Sequence, residues 1–194
     1  MADGHVRHAQ SWKDDADAAL IARVVARDQG AFQELYDRYR PPLTRFLTRH
    51  TRRPAMVEEL LNDTMLAVWN QLAGFEGHSK LSTWVFTIAY RKAARALERN
   101  DDPVDTDDPD YGASDAPGPE ETTERGQTHA ALRQALQRLS SDHRTVVDLT
   151  YFHQMGYREI AEIMDCPVDT VKTRMFHARK YLKKILSGTS PDWL

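Results

Sequence analysis

Cysteine is almost absent: Cys166 stands alone among 194 residues, so no disulfide forms within the chain. Its place between two helical patterns suits a small buried packing residue rather than a redox centre. No uninterrupted apolar run approaches the roughly 20 residues of a membrane span, and the N-terminus carries no apolar signal core. These absences point to a cytoplasmic protein without membrane insertion. The eight histidines form no Cys/His cluster at ligand spacing, so no metal is expected, and His5 and His8 read as solvated. A phosphate-cradling glycine motif and a nucleophile spaced with its base are also missing, which disfavours an enzyme and any cofactor.

Charge is plentiful but unevenly placed. The net charge of −3 argues against a nucleic-acid partner only if it is spread evenly, and it is not. Residues 1–17 hold 2 cations and 4 anions, 18–99 hold 13 and 8, 100–127 hold 1 and 10, and 128–194 hold 10 and 7. Two basic segments therefore flank a strongly acidic one. The acidic segment, Asn100 to Gln127, has four prolines and few large apolar residues, too little to bury a core alone. It is expected as a flexible linker with a reach of roughly 95 Å at about 3.4 Å per residue. That reach lets two domains sit on DNA sites more than one turn, about 34 Å, apart. Such a tether can avoid DNA, imitate it in a basic channel of a partner, or merely solubilise. Residues 1–16 and 187–194 read as tails, the first disordered.

The stretch YREIAEIMDCPVDTVKTRMFHARKYLKKIL, starting at Tyr157, reads as two short helices around a tight turn. Ile160, Ala161 and Met164 recur at helical spacing, Asp165-Cys166-Pro167 breaks the run, and Val171, Met175, Ala178 and Leu182 restart it. Pro167 suits the first position of the new helix, where its missing N–H costs nothing. Away from the apolar seam the second helix carries Lys172, Thr173, Arg174, Phe176, His177, Arg179 and Lys180. An amphipathic pair in a soluble bundle shares this pattern. A solvated bundle face, however, normally mixes Glu with its Lys, and this one has none. The short turn and the base-reading residue types favour a DNA-binding helix-turn-helix.

Upstream, residues 17–99 read as helices throughout. Leu20, Val24 and Val25 begin one; Phe32, Leu35, Tyr36 and Tyr39 form a second that ends before Pro41-Pro42, after which Leu43, Phe46 and Leu47 resume the pattern. After Pro54, the stripe Val57, Leu61, Met65, Val68 and Leu72 marks a third helix, with Glu58, Glu59, Asn62, Asp63 and Asn70 on its other face. From Ser82, a candidate N-cap, to Arg99 runs a fourth, with Val85, Ile88, Ala89 and Ala93 inward and Arg91, Arg95 and Arg99 stacked at i, i+4. The expected class is all-α: two small helical domains, 17–99 and 128–186, joined by the acidic linker. From spacing alone the acidic face of helix 56–72 is either solvated or a docking surface. In the loop FEGHSKLSTW, Phe75, His78 and Trp84 beside the arginine stripe combine stacking surfaces with phosphate clamps, a mixture suited to unpaired bases. Core packing of either large aromatic is the competing reading.

Taken together, these blocks resemble the ECF (extracytoplasmic function) subgroup of the bacterial sigma-70 family of RNA polymerase subunits. GAFQELYDRYRPPLTRFL, VEELLNDTMLAVWNQLAGF and LSTWVFTIAYRKAARALER are similar to its first conserved domain, region 2. LQRLSSDHRTVVDLTYF followed by the helix-turn-helix is similar to its second, region 4. The resemblance implies that Glu59, Asn62 and Asp63 face the coiled coil of the polymerase β′ subunit. It implies that Phe75, His78, Ser79 and Lys80 capture a flipped base of the −10 element, while Arg91 and Lys92 hold the displaced strand. Lys172, Thr173, Phe176 and His177 would read duplex at −35, with Arg144, Arg174 and Arg179 on phosphates. The implied partners are core polymerase through β′ and β, promoter DNA, duplex at −35 and single-stranded at −10, and an anti-sigma factor. The positions of Arg91, Tyr90 and Arg95 are commonly Asn, Arg and Asp in the family, and Gly156 stands where a Ser usually caps. Asp169 also replaces a common small residue. A stand-alone helix-turn-helix regulator is the rival; it requires a dimerisation surface, and no heptad seam offers one.

Overall fold

The computed structural model describes residues 17–51, 53–99, 132 and 134–186. The expected tails and linker lie outside them, as do His5, His8 and the Arg99 side chain. Among the described residues every regular element is helical, in keeping with the all-α expectation: α1 (residues 17–25), α2 (Gln29–His50), α3 (Pro54–Gln71), a 3-10 turn (Leu72–Gly74), α4 (Leu81–Arg99), α5 (residues 134–137), α6 (Ser141–Tyr151), α7 (Tyr157–Met164) and α8 (Val168–Leu186). The chain divides into two compact units, Met1–Asp101 and Asp102–Leu194.

In the first unit α2 begins at Asp28, whose carboxylate accepts the Ala31 amide at 3.1 Å. That amide, followed by the Arg23 guanidinium, holds the Asp28 carboxyl below its ordinary range. Ala31, Leu35, Tyr39, Leu43, Phe46 and Leu47 then form one buried stripe. Contrary to expectation, α2 does not stop at Pro41-Pro42 but runs through both. Neither proline can donate to a carbonyl one turn back. Asp37 and Arg38, whose carbonyls lose those donors, lie on the exposed side, where water can take over, while the buried stripe continues unbroken beneath.

Helix α3 opens with Pro54 at its first position, where no N–H is needed. It buries Val57, Leu60, Leu61, Met65 and Val68, plus Thr64, whose hydroxyl donates to the Leu60 carbonyl at 2.6 Å. Helix α4 buries Val85, Phe86, Ala89 and Ala93, and Phe46 meets Phe86 edge-on at 5.3 Å. Each such large apolar side chain contributes about 1.5–3 kcal/mol when taken from water. Two local expectations fail. The helix starts at Leu81, with the Trp84 amide bonded to the Lys80 carbonyl, so Ser82 lies inside the first turn rather than capping it. Ile88, expected inward with Val85, Ala89 and Ala93, is only half-buried.

The second unit packs α6, α7 and α8 around Val146, Val147, Leu149, Ile160, Ile163, Val171, Met175 and Ala178. Its core also holds a polar pair: His153 Nε2 lies 3.6 Å from Asp148 Oδ2, both side chains nearly fully buried. Between α7 and α8 the chain reverses through Asp165, a left-handed residue at φ 51°. There the Cys166 amide returns to the Ala161 carbonyl, satisfying a group orphaned at the helix end. Pro167 takes the cap position, one residue ahead of the expected first helical place, and accepts the Thr170 amide. Cys166 is half-buried rather than buried, its sulfur 3.6 Å from Arg174 Nη1.

Candidate nucleic-acid interface

Helix α8 separates its two faces cleanly. Val171, Met175 and Ala178 are sealed in the core, whereas Lys172, Thr173, Phe176, His177, Arg179 and Lys180 are all exposed, Phe176 by 63%. A phenyl ring so placed in water gains nothing from the core and is available to a ligand. Its ring stands 5.5 Å from that of His177, which in turn stands 6.3 Å from His143 on α6. Lys172 Nζ is 2.9 Å from Asp169 Oδ1, and the Thr173 hydroxyl donates to the Asp169 carbonyl. Asp169 thus steadies the first turn of α8, where a negative charge suits the helix dipole.

The three arginines expected on phosphates are placed differently from one another. Arg179 is exposed, its Nε donating to the Tyr151 hydroxyl at 3.0 Å with the guanidinium 5.8 Å from that ring. Arg174 turns toward the α6 N-terminus and pairs with Asp142. Arg144 donates to the carbonyls of Gln137 and Leu139, tying the turn after α5 to α6. Tyr151, 55% exposed beside Arg179, has no counterpart among the sequence candidates. The helix-end position of an aromatic in a run of Val, Leu and Thr was its only signal.

In the first unit Phe75, in the loop after the 3-10 turn, and Trp84, in the first turn of α4, are half-buried with their rings 5.3 Å apart. The two aromatics therefore pack on each other and keep one side each toward water. Gly77 takes φ 75° with open space around it, which lets the loop turn sharply. His78 is almost fully exposed, with Nε2 2.8 Å from Glu76, while Ser79 is half-buried and Lys80 exposed. Trp84, Ile88, Arg91 and Arg95 follow along one half-exposed to exposed face of α4. The loop and Arg91 are about 15 Å apart along the axis, so they form a strip rather than one pocket. Lys92 leans instead to α3, its Nζ 3.4 Å from Asp63 Oδ2.

The face of α3 carrying Glu59, Asn62 and Asp63 is exposed. Beside it lies a feature that residue spacing did not reveal: an open apolar groove of about 300 Å³ between α2 and α3, lined by Phe32, Tyr36, Asn62, Met65, Leu66 and Trp69. Leu66 is 58% exposed there. Phe32 and Trp69 meet edge-on at 4.8 Å, Tyr36 OH donates to Asn62 Oδ1 at 3.4 Å, and Arg27 covers Trp69 at 4.9 Å while donating to its carbonyl. The available sign was Leu66, an apolar residue off the buried stripe, one turn from Asn62.

Residues 35–102 match the family profile described as Sigma-70 region 2, and residues 129–182 match Sigma-70, region 4. The ECF RNA polymerase sigma-E factor of Haemophilus influenzae is 29% identical over 177 residues, covering 86% of this chain and 93% of that protein. The RNA polymerase sigma factor YlaC of Bacillus subtilis is 30% identical over 177 residues, covering 86% and 98%. Among solved structures, the sigma factor RpoE of Bartonella quintana, crystallised with the anti-sigma factor NepR, aligns with a TM-score of 0.53 at 26% identity, covering 76% of this chain and 91% of that one. Exposed polar helix faces outside two closed apolar cores, in the order of those two regions, are accounted for together: the chain belongs to the ECF subgroup of the sigma-70 family of RNA polymerase sigma factors, non-enzymatic subunits of transcription initiation.

Proposed function

We propose that this chain acts in the cytoplasm as a dissociable promoter-specificity subunit, with its duties divided between its two units. Glu59, Asn62 and Asp63, together with the adjoining groove at Leu66 and Trp69, dock on the β′ coiled coil of core polymerase, and the second unit meets the β subunit. Phe75, His78, Ser79 and Lys80 capture an unstacked base of the −10 element, and Arg91 and Lys92 hold the displaced strand. Unstacking a base costs a few kcal/mol, and an aromatic platform returns about 1–3. The half-exposed pairing of Phe75 with Trp84 supports that role. In the second unit Lys172, Thr173, Phe176 and His177 read −35 in the major groove. Arg179 contacts phosphate directly, and Arg144 and Arg174 reach phosphate from the positions in which they brace α6 and α8.

One observation carries the reading most: the exposed face of α8, where cations, a threonine, a histidine and a bare phenyl ring share a surface free of Glu. By analogy with the RpoE–NepR complex, an anti-sigma factor is a further partner. The reading is tested by mixing the full chain with core polymerase and following holoenzyme formation by gel filtration. Wild type co-elutes with core, and Asp63→Arg does not, although its helicity by circular dichroism is unchanged. Undiminished holoenzyme formation by Asp63→Arg removes α3 from the interface.

A further inference from the structure

We infer that Asp63 is an internal lock on Lys92, released when a basic partner engages α3. The inference rests on the reading of α3 as the docking edge and of Lys92 as a strand contact. Lys92 Nζ lies 3.4 Å from Asp63 Oδ2, and the pair bridges α4 to α3. It thereby joins the surface for single-stranded DNA to the surface for polymerase. The lysine side chain is 31% exposed and the aspartate 55%, so an approaching protein meets the acid first. Asp63 stands on the same exposed face as Glu59 and Asn62, one turn and one residue away. A cation of the partner that pairs with Asp63 leaves Lys92 without its acid, and the long lysine stem can then swing to a phosphate.

The corresponding pair in the second unit behaves differently. Lys172 is also held by an acid, Asp169, at 2.9 Å, but both sit one turn apart on α8. A protein that took Asp169 would cover the very face that reads DNA, so that pair tunes Lys172 and cannot release it. Asp63 and Lys92 lie on different helices, so the acid can be claimed while the lysine stays open to the strand. An exposed pair is weak, and its loss alters affinity by about two- to fivefold rather than by orders of magnitude. The lock therefore biases the free chain against stray single strands without opposing polymerase binding strongly.

A double-mutant cycle on the full chain, free of polymerase, tests this by anisotropy with a fluorescein-labelled single-stranded oligonucleotide. Asp63→Asn is expected to tighten binding about two- to fivefold and to steepen the slope of log affinity against log salt by about 0.7, one phosphate contact. In a Lys92→Gln background the same change is expected to do nothing, and Asp63→Ser should repeat both results. A gain that survives in the Lys92→Gln background is general charge removal and overturns the lock. No gain from either substitution overturns it too. Holoenzyme formation by Asp63→Arg, measured separately, reports whether the docking reading stands, so the two failures are distinguishable.

Discussion

Lys172 and His177 stand on the exposed face of α8, and a good contact to a base edge discriminates by about 1–3 kcal/mol. Lys172→Ala or His177→Ala is therefore expected to relax preference at one or two −35 base pairs by that amount, seen in competition binding of holoenzyme to a promoter library. A uniform loss over all sequences would make them phosphate contacts. At the α7 cap, the Glu159 carboxylate accepts the Gly156 amide at 2.8 Å, but glycine has no side chain to return the bond. A Cβ at Gly156 meets nothing closer than Glu159 Oε2 at 3.4 Å. Gly156→Ser is thus expected to add a few tenths of a kcal/mol, read from urea unfolding. Asp28 gives a pH signature. Its folded-state pKa is lowered, so its cap stabilises fully above the ordinary 3.8 and fades as pH falls below that value. The advantage of wild type over Asp28→Asn in melting temperature is expected at pH 7 and to shrink as the pH is taken below 3.8. Residue placement was legible where side chains sit on a periodic exposed face, as at Lys172 to His177. The contacts of Arg144 and Arg174 were not legible, because spacing fixes the side of a helix and not the carbonyl or carboxylate a flexible guanidinium finds.

At the scale of the element, periodicity recovered the helices and missed their ends. The stripe of α3 from Val57 to Leu72 is buried residue for residue, since five apolar side chains at one azimuth leave a helix no other way to pack. The pair Pro41-Pro42 misled, because a local rule about lost N–H groups was outweighed by burial of Tyr39, Leu43 and Phe46 on either side. Pro42→Ala restores one intrahelical bond on an outer face and is expected to raise stability by about 1–3 kcal/mol, measured as the shift in chemical midpoint. An unchanged or lower midpoint would mean that the ring itself packs. The groove between α2 and α3 needed the fold, because it is made by residues about 30 positions apart in sequence. Leu66→Asp puts a charge into it and is expected to weaken core polymerase binding at least tenfold, with little change in melting temperature, because Leu66 is already more than half in water.

Across the whole molecule the distribution of charge matters more than its sum. The net charge of −3 conceals two basic segments, 18–99 and 128–194, and within them several cations are held by acids of the same segment: Lys92 by Asp63, Lys172 by Asp169, Arg174 by Asp142. Free chain should accordingly bind DNA weakly and gain promoter affinity once polymerase positions both units, because phosphate attraction scales with the number of cations available. The two-domain, all-α organisation was legible because the acidic, proline-rich segment interrupts apolar periodicity for 28 residues. The most direct measurement is in vitro transcription with core polymerase, the full chain and fragmented genomic DNA of the source organism, with mapping of transcript starts. Chain-dependent starts that share two DNA elements at a fixed separation and are lost with Asp63→Arg are expected. No chain-dependent starts, together with tight specific binding of duplex DNA by the chain alone, would contradict the proposed function.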